Sequence, residues 1–138
     1  MRMNFGRAQA LLELALCAPI VVVLALETTA VVQLAGARAG LDAATQGAAN
    51  AAARAPDRAT AVAAAQKTFA AVVSGYPLRS PSLSLSVGEF ERVGRIRASA
   101  SARVDIGWAA FVIFPSSVTL RSEVVLSLEP WRTHRRTA

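Results

Sequence analysis

Two carboxylates, Glu13 and Glu27, are the residues most able to do chemistry in the first third of this chain, because nothing around them offsets their charge. From Ala10 to Ala37 the sequence reads ALLELALCAPIVVVLALETTAVVQLAGA, with no Lys, Arg, His or Asp. A carboxylate in hydrocarbon costs about 2.5–3.5 kcal/mol on insertion scales. Two in one apolar stretch call for partners, protonation or a function. They stand two heptads apart, so on a helix they lie on nearly one face. An acidic stripe on an apolar rod suits a segment that packs against other proteins inside a membrane.

The other reactive side chains are isolated. Cys17, the single cysteine, sits within the apolar run, and His134, the single histidine, sits in a basic tail with Arg132, Arg135 and Arg136. One Cys and one His so placed do not make a metal cage or a nucleophilic pair. No G-x-S-x-G, Gly-rich phosphate loop or H-E-x-x-H is present. The acids Glu89, Glu91, Asp105, Glu123 and Glu129 fall on polar strand positions or turns. The reading is therefore non-enzymatic, with no cofactor and no metal.

The element that must position the two glutamates is a long helix. Ala10 to Ala35 would span about 39 Å at 1.5 Å per residue, more than a bilayer core of about 30 Å. Glu13 would then lie near one interface and Glu27 near the other, with Pro19 loosening the helix between them, as membrane helices tolerate. Arg2 and Arg7 precede the run and no base follows until Arg38. The positive-inside rule puts the N-terminus in the cytoplasm and the remainder outside.

Three readings of this segment compete. One is a plain signal-anchor. Another is a cleaved secretory signal, since Ala35-Gly36-Ala37 has an A-x-A form. The third rests on the string Gly6-Arg7-Ala8-Gln9-Ala10-Leu11-Leu12-Glu13-Leu14-Ala15-Leu16. That string resembles the leader junction of type IV pilin-like proteins, and most closely the TadE-like minor pilins (pseudopilins) of the Flp/Tad pilus system. The resemblance implies cutting by a prepilin peptidase between Ala8 and Gln9, which makes Glu13 the fifth residue of the mature chain. Ala8 stands where the family usually has glycine. The resemblance further implies a structural subunit of the bacterial inner membrane, with other pilin subunits, the assembly machinery and membrane lipid as partners. It also implies that Glu13 meets the amino terminus of a neighbouring subunit.

Past the apolar run the pattern stays helical. Leu34, Leu41 and Ala48 recur every seven residues, and Arg38, Asp42, Gln46, Asn50 and Arg54 form a polar stripe at spacing four. Arg38 and Asp42 are placed to pair. Pro56 ends the helix and Asp57 is a fair N-cap for a second one, whose apolar face is Val62, Phe69 and Val73 and which Gly75 and Pro77 stop. Ser80 to Ser82 reads as a turn. The period then changes to two in three runs: Leu83–Val87, Ile96–Ile106 and Val118–Leu128. These are half-buried antiparallel strands, the first pair joined through Gly88–Gly94. The stretch from Gly107 to Pro115 is apolar without clean alternation. Its Trp108, Phe111 and Phe114 are either core or an exposed interaction surface.

The expected fold is α+β: a long N-terminal helix, half transmembrane, and a second helix packed on a three- to four-stranded antiparallel sheet. The expected organisation is a leader over 1–8, a transmembrane and assembly helix over 9–37, its continuation over 38–56, and an extracytoplasmic helix and sheet over 57–138. With 138 residues, 54% of them apolar, the chain has room for one modest domain beside that span. Its net charge of +6 is carried mainly by scattered arginines, not by the concentrated patch that nucleic-acid binding requires.

Overall fold

A computed structural model describes residues 5–88, 94–109 and 116–127, with the side chains of residues 5, 7 and 109 left undescribed. Helix α1 runs unbroken from Phe5 to Arg54, about 75 Å at 1.5 Å per residue. Helix α2 covers Arg58–Val73, and strands β1 (Arg79–Val87), β2 (Arg95–Asp105) and β3 (Ser117–Ser127) form one sheet in the order β1-β2-β3. A short 3-10 turn, η1, occupies Gly107–Ala109. This is the expected α+β layout.

Three residues, Ala55, Pro56 and Asp57, reverse the chain between the helices, a link of αα-hairpin length, and α2 packs back along α1. Pro56 has no N–H to donate to α1 and disfavours helical backbone at Ala55 before it, so the helix stops at Arg54. Asp57 restarts the helix in extended conformation and accepts the Thr60 backbone N–H at 2.8 Å and the Thr60 hydroxyl at 2.9 Å. Those two bonds, the backbone one first, hold its carboxyl below the ordinary aspartate value. At the other end of α2, the Ser74 N–H donates to Ala70 O and the Gly75 N–H to Val72 O, both at 3.1 Å.

The two helices meet through small side chains. Ala37, Ala44, Ala48 and Ala52 of α1 are buried, as are Ala61 and Ala65 of α2. Thr45, fully buried, satisfies its hydroxyl by donating to Leu41 O at 2.7 Å. Leu41, Phe69 and Val73 supply the larger core side chains. The polar stripe Arg38, Asp42, Gln46, Asn50 and Arg54 faces outward, but Arg38 and Asp42 do not pair. The ion pair among the described residues is Arg97–Glu123, 3.1 Å and exposed, so it contributes little to stability.

The sheet lays one face on the helices. Ile96, Ala98, Ala100, Ala102 and Val104 point inward from β2 and are all buried. Their cross-strand partners share that face: Leu83, Leu85 and Val87 from β1, and Val118, Leu120, Ser122, Val124 and Leu126 from β3. The expected turn at Ser80–Ser82 is instead part of β1. It enters the strand as an irregularity, with Ser80 at φ 48 and a register shift between Arg79 and Ser82. A bulge of this kind twists an edge strand and blunts it against stray pairing. The centre of the Gly88–Gly94 connection and Leu128 lie outside the described residues.

Candidate functional site: the exposed half of the long helix

The first half of α1 presents large aliphatic side chains outward. Leu11 is 66% exposed and Leu16 65%, and Leu12, Leu14, Ile20, Val21, Val22 and Leu24 are similar. None of the most apolar stretch is buried, and the helix is long and apolar enough to cross a membrane. Each such side chain would gain about 1.5–3 kcal/mol on full burial. A surface of this size exposed to water would be a strong driver of association.

Within it the helix satisfies itself. Pro19 lies inside α1 without ending it. The Thr28 and Thr29 hydroxyls donate back to Leu24 O at 2.8 Å and Ala25 O at 2.9 Å. They are thus already bonded within the helix, as polar groups in lipid must be. What remains unmatched are the acids. Glu13 is exposed among the leucines, and Glu27 is half-buried about four turns further on. They are about 21 Å apart along the axis and about 40° apart around it, so they share a face without touching. Cys17 is exposed between them.

The Ala8–Gln9 bond falls at the end of the first turn of α1, both residues being exposed. The opening N–H groups of a helix have no partner in it. Unwinding this turn therefore breaks few hydrogen bonds.

At the opposite end of the domain from the interhelical turn lies the third group of singled-out residues. Trp108 is in η1 and 40% exposed. This excludes it as a core residue and leaves it as surface. Phe111 and Phe114 lie outside the described residues. The Asp105 carboxylate accepts the Gly107 N–H at 3.0 Å and fixes the entry into η1.

Two features were not foreseen from the sequence. The Tyr76 ring lies flat on Gly40, where an added Cβ would come within 2.5 Å of Cγ and 2.7 Å of Cδ2. A close approach between residues so far apart in the chain leaves no local signature. The outer face of the sheet holds a shallow open depression with Ser82, Ser84, Ser99, Ser101, Arg121 and Glu123 among its lining residues. The alternation of strands signals a polar face, but only the register sets those serines side by side. No family model, curated protein or solved structure matches the chain.

Proposed function

We propose that this chain is a structural, non-catalytic membrane subunit: a minor pilin or pseudopilin of a Tad-type pilus-assembly and secretion machine. The observation that supports this most is the exposed apolar half of α1 with one acid, Glu13, near its start, joined without a break to a small α+β domain. In this reading a prepilin peptidase cuts between Ala8 and Gln9. The new ammonium on Gln9 of one subunit meets Glu13 of the next, because two charges in low dielectric are tolerable as a pair. The N-terminus faces the cytoplasm and the sheet domain lies outside the inner membrane. Packing of the apolar halves builds the assembly.

The direct test is the mature N-terminus of the protein co-expressed with its own peptidase. It begins at Gln9 if the reading holds and at Met1 if the chain is an uncleaved anchor. Glu13→Ala should stay membrane-bound, since losing an acid makes the span more apolar, yet fail to enter the assembly. Normal assembly of that variant would overturn the mechanism. The rival reading is a single-pass anchor presenting a β-rich binding module, and the serine-lined depression on the outer sheet face is the feature that would serve it.

A further inference from the structure

The fold fixes the height of each element along α1. The helices reverse at Ala55–Asp57, α2 returns, and Tyr76 meets Gly40. Strand β1 therefore starts near the level of Gly40, and Arg79 at its start lies opposite Arg103 of β2. From Arg103 the chain runs on to Ile106 and into η1. Three strand residues are about 10 Å, or about seven residues of helix, which puts η1 beside the low thirties of α1. Two observations agree. Helix α1 and η1 are in contact, and on the face that runs on to Ala37 and Leu41 coverage of α1 sets in with half-buried Val23, Leu26 and Glu27 and is complete at Ala30, 4% exposed, while Val31 and Val32 on the other side stay bare.

Ala10 to Ala30 is about 30 Å of helix, the thickness of a hydrocarbon core. With Arg7 just before the span, the far edge of the core falls at Ala30, the level of η1. Trp108 is exposed there, and Trp favours that boundary, where one side of the ring is apolar and the other wet. About 12–15 Å further out, three exposed arginines stand at similar heights on three elements: Arg38 on α1, Arg79 on β1 and Arg103 on β2. None forms an ion pair with a described acid. The cross-strand pairing of Arg79 with Arg103 sets like charges opposite each other, which costs stability unless an anion lies nearby. The headgroup layer on each side of a bilayer is about 5–8 Å deep, within reach of arginine side chains from that height.

We propose that the η1 end of the domain is a lipid-binding surface. Trp108 lies at the hydrocarbon edge, and Arg38, Arg79 and Arg103 take the phosphates of anionic phospholipids in the same bilayer that α1 spans. Guanidinium groups suit phosphate because they bond it in a bidentate fork. The domain is thereby seated on the membrane surface rather than held away from it. This rests on α1 being a membrane span, and the test separates the two claims.

The full chain with Trp131→Phe leaves Trp108 as the single tryptophan, and Cys17, the single cysteine, takes a bimane label. Both are read in vesicles of phosphatidylcholine with or without phosphatidylglycerol, using lipids brominated near the headgroup or deep in the chains. The proposal expects deep bromines to quench the Cys17 label and shallow ones to quench Trp108 with a blue shift. Trp108 quenching should be stronger with phosphatidylglycerol, and Arg79→Gln and Arg103→Gln should each weaken that surface association about fivefold. A quenched Cys17 label beside a Trp108 quenched only by aqueous acrylamide leaves the span intact and overturns the surface. A Trp108 shielded from both acrylamide and bromine means that protein covers it, a second copy or a partner, and also overturns the proposal. An unquenched Cys17 label removes the span, and the lipid surface with it.

Discussion

The two halves of α1 are one continuous helix, yet they obey opposite burial rules. Up to about residue 29 the helix carries Leu, Ile and Val, and all but half-buried Val23 and Leu26 face outward. From Ala37 to Ala52 half of its residues are alanine, and its apolar face is buried: Leu41 is 1% exposed, whereas Leu16 is 65% exposed. In water the larger side chains would be the ones covered. The inversion is what the proposed membrane span would require of the first half, a helix long and apolar enough to cross a bilayer. The small residues of the second half serve close approach to α2 and the sheet. The large residues of the first half are left bare, as a membrane-spanning role proposed for it requires.

The largest break in that comparison is to cut the helix between its halves. A fragment over 38–138 keeps Leu41, Ala44, Ala48 and Ala52 against α2 and the sheet, so it should move from the membrane fraction to the soluble one and stay folded. Fractionation and circular dichroism check this. A fragment that stays with membranes would mean that the domain carries its own strong affinity.

Next come substitutions matched across the halves. Leu41→Ala should cost about 2–5 kcal/mol in denaturant unfolding of the domain, because it empties a fully buried site. Leu16→Ala should leave that unfolding unchanged. Ala48→Leu should cost about 1–3 kcal/mol by overfilling the core that the second half of α1 shares with α2 and the sheet. If Leu16→Ala proved as costly as Leu41→Ala, the two halves would share one core.

A smaller effect is expected at Gly40. An alanine there meets the Tyr76 ring at Cγ, near the root of the side chain, so the whole ring must shift and the cost should be about 1–2 kcal/mol. Gly40→Ala combined with Tyr76→Ser should cost less than the two changes added separately, and a double-mutant cycle measures the difference. Simple additivity would mean that the ring does not rest on the glycine.

The smallest effect concerns Asp57, at the turn between the two helices. Its carboxyl is held below the ordinary value of 3.8 by the Thr60 backbone N–H and then the Thr60 hydroxyl. The unfolded chain therefore takes up the proton first as pH falls. The stabilisation is fully present above pH 3.8 and is lost as pH drops through the folded-state value. Melting temperatures of wild type and Asp57→Ala should differ at neutral pH and converge in acid. A gap that persists at low pH would assign the cap to neutral hydrogen bonding.

The elements were legible because their signals are local. Period-3.6 and period-2 patterning, Pro56 and the Asp57 cap place both helices and three strands within a few residues of where they lie. Ser80–Ser82 misled because a serine–proline pair is ordinary turn chemistry, and only pairing with β2 draws it into a strand. The candidate site was legible in part. Glu13, Glu27 and the apolar run are visible in one dimension. The exposure of Trp108 is not, because an apolar loop reads alike whether it is covered or bare.

By itself the sequence determined that a long apolar helix with two acids leads into an amphipathic helix and an alternating sheet, since these depend on residue type and spacing along one element. Tertiary structure alone decided which half of α1 is covered, that Tyr76 rests on Gly40, that the serines of β1 and β2 share a depression with Arg121 and Glu123 of β3, and that η1 touches α1. Each of these sets residues side by side that are far apart in the chain. Their energies come from strand register and helix packing, which no local pattern encodes.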